Sequence, residues 1–296
     1  MIERTGRFTD FFLRLWRQKP LGTISGMVIL ILIVVAIFAD VIAPYPYAEV
    51  HPADRLQGSS ALYLLGTDYI GRDFLSRLLY GARISLLVGL AATTLNVLVA
   101  VLIGGVSGFL GGKPDLVMQR FVDAWMAFPG LLLLLTIMSI AGQGLTQIIL
   151  VLGITGGIGS SRVARAAVIG VKENDYFLAT RVVGTRRTET LIRHVLPNIM
   201  APLIIIFSIN IGGVIISEAS LSFLGFGLPP QIPSWGGMLS REGRHYMEQA
   251  PWLALWPGLC LTIVVYSLNM FGDAVRDLLD PRLRGAAGRL DAHRAP

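Results

Sequence analysis

Glu218 is the ionisable side chain that stands inside a long apolar run of this 296-residue sequence, and such groups are costly in a membrane and usually functional. At about 1.5 Å of rise per residue it falls near the end of its run. That position favours an interfacial or partner-contacting carboxylate over a ligand for something in transit. Asn96, Asn210 and Asn269 also lie in apolar runs, where an amide lines a polar path or, more commonly, bonds one helix to another. Glu218, Asn96 and Asn210 are the candidates for such a path. Metal chemistry finds little support, because His51, His194, His245 and His293 are scattered without ligand spacing. The single cysteine, Cys260, can form no internal disulfide and reads as an inert thiol within a span. No catalytic constellation emerges: there is no paired nucleophile and base, no aspartate pair and no His-Glu metal motif at membrane depth.

Phosphate binding fares no better. The chain has no Gly-x-x-x-x-Gly-Lys loop, and Gly153-Ile-Thr-Gly-Gly-Ile-Gly159 has no lysine, so close helix packing is its expected role. The longest strongly charged stretch between apolar runs is 175–198, Asp-Tyr-Phe-Leu-Ala-Thr-Arg-Val-Val-Gly-Thr-Arg-Arg-Thr-Glu-Thr-Leu-Ile-Arg-His-Val-Leu-Pro-Asn. Tyr176, Ala179 and Val183 share one helical face, and Gly184 supplies a left-handed stop. Thr185 then caps a second short helix, with Leu191, Ile192, Val195 and Leu196 on one side and Arg186, Arg187 and Arg193 elsewhere. Pro197 is expected to end it. The two helices would form a knob suited to taking force from a soluble partner.

The elements that must hold these groups are membrane spans. Hydrophobic residues make up 53% of the chain and charged ones 15%, with a mean hydropathy of +0.64. Crossing about 30 Å of hydrocarbon takes roughly 20 residues, and six runs qualify: 21–39, 84–110, 128–141, 145–160, 199–224 and 253–271. The third and fourth are short and could instead pair as a hairpin that fails to cross. No run carries the interruption expected of a broken, half-helix span. The first is near 19 residues, beyond the roughly 7–15 of a signal core, so an uncleaved span is expected.

Lys and Arg concentrate before the first run, between the second and third, between the fourth and fifth, and after the sixth. Only Arg55, Arg72, Arg77, Arg83, Arg241 and Arg244 fall on the other side. This bias places both termini in the cytoplasm. A net charge of +6 is then explained by topology and anionic lipid rather than by nucleic acid.

Two segments face the outside. In the first, about 40–83, apolar Phe74, Leu75, Leu78 and Leu79 alternate with Arg72, Asp73 and Arg77 at helical spacing, which predicts a short interfacial helix. In the second, about 225–252, Pro229, Pro230, Pro233 and several glycines forbid a continuous helix, while Trp235 and Trp252 suit the headgroup belt. The chain divides into an N-terminal cytoplasmic segment, first span and outer loop at 1–82, a five-helix core at 83–284 with a cytoplasmic loop at 162–198, and a loose tail at 285–296.

The charged stretch resembles a permease subunit of the binding-protein-dependent ABC importers. Their signature is Glu-Ala-Ala, three residues, Gly, nine residues, Ile, one residue, Leu-Pro. Leu178-Ala179-Thr180 stands at the first three positions, Gly184 at the glycine, His194 at the isoleucine, and Leu196-Pro197 at the end. Asp175-Tyr176, Gly66-Thr67-Asp68 with Gly71-Arg72-Asp73, Phe128-Pro129, Leu221-Ser222-Phe223-Leu224-Gly225, Pro233-Ser234-Trp235-Gly236 and Asp280-Pro281-Arg282 are similar to the dipeptide, oligopeptide and nickel branch. The matches run from about residue 20 to 284 and point to the second permease of such a pair.

The resemblance implies an all-α integral membrane protein of the ABC type I importer permease fold. It implies a homologous permease partner, two ATP-binding subunits that hold ATP and Mg, and an external solute-binding protein. It also implies docking of the ATPases on Tyr176, Leu178, Ala179, Thr180, Gly184, Thr185, Arg186, Arg187, Leu191, His194, Leu196 and Pro197. Leu178 replaces the motif's glutamate, but a surface charge contact contributes only about 0–1 kcal/mol, so docking is expected to survive. Short peptides are the expected cargo, with nickel or another small solute as the alternative. An ion-coupled transporter acting alone would need midspan charges or broken helices, and these are scarce.

Overall fold

Proline and the short-side-chain residues decide where these helices begin. The computed structural model describes residues 7–174, 177 and 185–279, with 7–12, 187 and 241 as backbone only. Helix α1 (Arg7–Gln18) leads into α2 (Pro20–Ile37), whose Pro20 sits in the first turn, where a missing N–H breaks no helical bond. Helix α3 (Phe74–Leu110) is capped by Asp73, whose Oδ2 accepts from the Ser76 backbone N–H at 2.7 Å and from its hydroxyl at 2.6 Å. Helices α4 (Gly112–Met126), α5 (Gly130–Ala141), α6 (Leu145–Lys172), α7 (Thr190–Phe223) and α8 (Trp252–Leu279) follow. No strand forms among the described residues beyond an isolated bridge between Thr67 and Asp73.

Five of these helices are long and apolar enough to cross a membrane, and six spans result if α4 and α5 count as one. The expected third span, 128–141, is corrected. Helix α5 has 12 residues, about 18 Å, too short to cross alone, and it meets α4 at a 90° bend. The cause lies at Phe128-Pro129: proline removes a backbone donor and drives its predecessor out of the helical region. The bent pair is a broken span or a re-entrant loop, where no interruption was expected. The fourth run also extends, since α6 continues to Lys172 through Arg162 and Arg165.

The interfacial helix expected before the second span does not exist as a separate element. Phe74 is the first residue of α3 itself, and Phe74 and Leu78 are buried in one cluster with Trp235, Met238 and Leu253. Trp235 is 1% exposed and donates from Nε1 to the Leu78 carbonyl at 3.1 Å, so it is a core anchor rather than a headgroup-belt residue. Burial of each such large side chain stabilises by about 1.5–3 kcal/mol. The segment it belongs to, with helical turns from Trp235 to Tyr246, packs on the Phe74 end of the bundle.

Small residues let α3 and α6 touch along their length. A Cβ on Gly153 would lie 2.6 Å from Leu95, one on Gly156 2.4 Å from the Asn96 amide, and one on Gly157 2.6 Å from Val99. At the far end of α3 a short π stretch, Val101–Gly105, brings Gly104 against the Ser161 carbonyl, 1.9 Å from where its Cβ would stand. Gly104→Ala is expected to force the helices apart at a cost of about 1–3 kcal/mol. Heating the detergent-solubilised protein with a thiol-reactive dye reads this directly, because Cys260 is the single cysteine and lies half-buried in α8. Labelling should begin at lower temperature in the variant, and an unchanged onset would remove the close contact.

Candidate functional site

The described part of the charged stretch has one face held down and one left free. Val195 and Ile199 are buried, and Phe177 joins them in a cluster with Ala100, Ala164, Val168 and Val171, so the element is seated on the ends of α3 and α6. Leu191 and Leu196 are half-buried against the same cluster. Ile192 is 62% exposed and turned away from it, contrary to the expected shared face. Arg193 is also exposed and pairs with Glu189 at 2.7 Å. Arg186 is exposed, Thr185 half-buried, and His194 half-buried with its carbonyl accepting from the Asn198 amide at 2.6 Å.

Pro197 does not end the helix. The chain widens into a π stretch at Thr190–Val195, tightens into a 3-10 turn at Leu196–Ile199, and continues along α7. Proline occupies the first turn of that new segment, where its absent N–H is tolerated. Tyr176, Leu178, Ala179, Thr180 and Gly184 lie outside the described residues, and Arg187 is described by its backbone only.

The candidate path residues separate. Glu218 is fully buried within the chain: its Oε1 accepts from Ser222 at 2.7 Å, and Ser234 stands beside the carboxyl. It faces inward because α7 turns that side toward the Ser234–Trp235 segment, whose Gly236 has room for no Cβ against Ala219. Asn96 is 3% exposed, lies against Gly156 and leaves its Oδ1 unpartnered. Asn210 bonds Ser160 at 3.0 Å, tying α7 to α6, and borders a cavity of about 510 Å³ with Val163, Ile206 and Arg276. A larger cavity of about 740 Å³ lies among Leu131, Ile216, Ser220, Thr262, Tyr266 and Asn269.

A second group escaped the sequence reading. Asp68, Arg72, Arg77 and Glu242 form a buried network at the Phe74 end. Arg72 reaches Asp68 at 2.5 Å and Glu242 at 3.0 Å, while Arg77 lies 3.5 Å from Asp68 and 3.1 Å from Glu242. Burial pushes the Glu242 carboxyl above the usual glutamate range, and Arg77 and Arg72 pull against that shift while Asp68 adds to it. Arg77 Nη1 and Glu242 Oε2 remain without partners. The Asp68-to-Arg72 spacing was a readable hint. Glu242, far along the chain in a proline- and glycine-rich segment, offered none.

This all-helical bundle, with long apolar helices, one bent pair and a charged loop seated at one end, has the fold of an ABC importer permease. A solved inward-facing structure of the MetNI methionine ABC transporter matches it with a TM-score of 0.57 at 16% identity, covering 69% of this chain and 96% of that one. Residues 97–285 match the family described as the binding-protein-dependent transport system inner membrane component, and the chain belongs to that family. Residues 7–58 match the N-terminal TM domain of oligopeptide transport permease C. The chain is 38% identical over 273 residues to the di/tripeptide transport system permease protein DppC of Pseudomonas aeruginosa, covering 90% of each. It is 36% identical over 268 residues to the dipeptide transport system permease protein DppC of Alkalihalophilus pseudofirmus, covering 90% of this chain and 88% of that one. It is also 35% identical over 276 residues to the glutathione transport system permease protein GsiD of Pectobacterium atrosepticum, covering 93% and 91%.

Proposed function

We propose that this chain is the second permease subunit of an ATP-driven importer of short peptides. It forms half of the translocation path with a homologous permease and takes substrate from an external solute-binding protein. Two ATP-binding subunits dock on residues 175–197 and supply the chemistry, with ATP and Mg held there and not on this chain. The protein sits in the cytoplasmic membrane with both termini and the docking element inside, a reading supported by the distribution of Lys and Arg.

The observation that carries this reading is the two-sided docking element. Val195 and Ile199 anchor it to α3 and α6, while Ile192 and the exposed Arg193–Glu189 pair face outward, open to another protein. A force applied to the free side is thereby delivered to two long helices. Dipeptide and di/tripeptide relatives support short peptides as cargo, and glutathione is a second reading supported by the GsiD relative.

The test is uptake by proteoliposomes holding both permeases, both ATPases and the cognate binding protein. Di- and tripeptide uptake should require ATP and the binding protein. Uptake driven by an ion gradient without ATPase subunits would overturn the importer reading. ATP-driven uptake of glutathione or nickel with no peptide uptake would reassign the cargo.

A further inference from the structure

We propose that two ion pairs between α4 and α6, Asp115 with Arg165 and Asp123 with Arg162, carry movement of the docking element into the bent helix pair. The inference rests on the importer reading above. Asp115 and Arg165 form a two-pronged contact, Nε to Oδ1 at 2.7 Å and Nη2 to Oδ2 at 2.6 Å, and Ser107 at the end of α3 also donates to Asp115. Arg162 reaches Asp123 at 2.5 Å. The placement is systematic: Asp115 and Asp123 stand eight residues apart on one face of α4, and Arg162 and Arg165 three apart on one face of α6.

These pairs matter because α4 has little else to hold it. Of its described side chains only Val122 is buried, whereas Leu116, Val117 and Phe121 face outward. By contrast α6 is joined to α3 almost rigidly. Gly104 and Gly108 put the two backbones in contact, and Lys172 donates to the carbonyls of Gly108 and Phe109 at 3.0 Å each. Beyond Lys172 the chain passes within a few residues into the docking stretch. A push there must displace α3 and α6 together. Near its start α4 is tied to α3 through Ser107, which donates to Asp115 and accepts from Gln119 at 3.0 Å, and the ion pairs to Arg162 and Arg165 tie it to α6 along its length.

Where that motion goes is set by the break. Helix α4 ends at Met126 and α5 starts at Gly130, so displacement of α4 changes the angle of α5 about the Phe128-Pro129 joint. Leu131 of α5 lines the cavity of about 740 Å³ shared with α7 and α8. The linkage therefore joins docking to the wall of a cavity. Partly exposed ion pairs suit this role, because they hold position yet rearrange at small cost.

The experiment measures uptake and ATP hydrolysis together in proteoliposomes of the complete importer. Asp115→Asn, the reversals Asp115→Arg and Arg165→Asp, and the exchange Asp115→Arg/Arg165→Asp are compared, with a matching set at Asp123 and Arg162. In each single variant the ATPases should still co-purify and hydrolyse ATP, while substrate taken up per ATP falls about 2- to 30-fold. At least one exchange should recover most of the loss. An unchanged ratio in all single variants overturns the inference. So does a loss that neither exchange repairs, or failure of even Asp115→Asn to assemble, since each would make the pairs a purely structural attachment. Absence of ATP-driven uptake in the unaltered complex would instead sink the importer reading itself.

Discussion

Arg77→Ala is expected to destabilise the protein by about 3–5 kcal/mol, the usual penalty for removing one partner from a buried ion pair. The network holds two acids and two bases, all at least nine-tenths buried, and its formal charge is balanced. Truncating Arg77 leaves Asp68 and Glu242 to share Arg72, with an excess buried negative charge. Glu242→Gln errs in the opposite direction and leaves an excess positive charge. Removing both, as Arg77→Ala with Glu242→Gln, restores neutrality around the Asp68 and Arg72 pair. The double variant should therefore lose less than the two single losses combined. Onset of Cys260 labelling on heating measures all three; strict additivity would mean that the four groups do not act as a unit.

The pH dependence follows from Glu242. Its carboxyl is raised in the folded protein, chiefly by burial, so the protonated form is favoured there relative to the unfolded chain. A raised pKa contributes stability below the unfolded value of about 4.3 that is lost as pH climbs through the folded value. Without Arg77 one of the two groups opposing that rise is gone. The deficit of Arg77→Ala should thus be smaller in mildly acidic buffer and grow toward alkaline pH, and a pH-independent deficit would contradict this account.

The apolar runs made five long helices legible because span length is a property of composition alone, and 84–110 and 253–271 fall wholly inside α3 and α8. The packing role of Gly153, Gly156 and Gly157 was equally readable, since a missing Cβ has one obvious use between apolar helices. Direction was harder. Arg72 and Arg77 look solvated in the sequence because each is charged, yet both point inward: of the two acids that neutralise them, Glu242 lies 165 residues from Arg77. Trp235 misled for the same reason, its indole finding the Leu78 carbonyl at a distance of 157 residues. The bend at Phe128-Pro129 was visible as a proline, but its consequence depended on α4 being helical, and α4, with Lys113, Asp115, Arg120 and Asp123, gives no apolar run of its own. In the described half of the charged stretch, Leu191, Val195 and Leu196 share the expected face. The π stretch at Thr190–Val195 rotated Ile192 outward, a change that ordinary helical spacing cannot anticipate.

That rotation separates two substitutions a regular helix would treat alike. Val195→Asp introduces a carboxylate where the side chain is fully buried among Ala100, Ala164 and Val168, without a cation in that cluster. Burying an unpaired charge is prohibitive, so the charged stretch should unseat from α3 and α6 before the charge is accommodated. Ile192→Glu adds the same charge on a side chain already 62% exposed and should change stability by no more than about 0.5 kcal/mol. If the exposed face receives the ATP-binding subunits, both variants lose them on co-purification, but for different reasons. Val195→Asp also lowers the temperature at which Cys260 becomes reactive, whereas Ile192→Glu leaves it unchanged and loses only the partner. Apolar anchors at the centre of a contact dominate its affinity, so the Ile192 change is expected to weaken docking by at least about tenfold, or roughly 1.4 kcal/mol. Full ATPase recovery with Ile192→Glu would place the contact elsewhere on the stretch, on the side that carries Arg186.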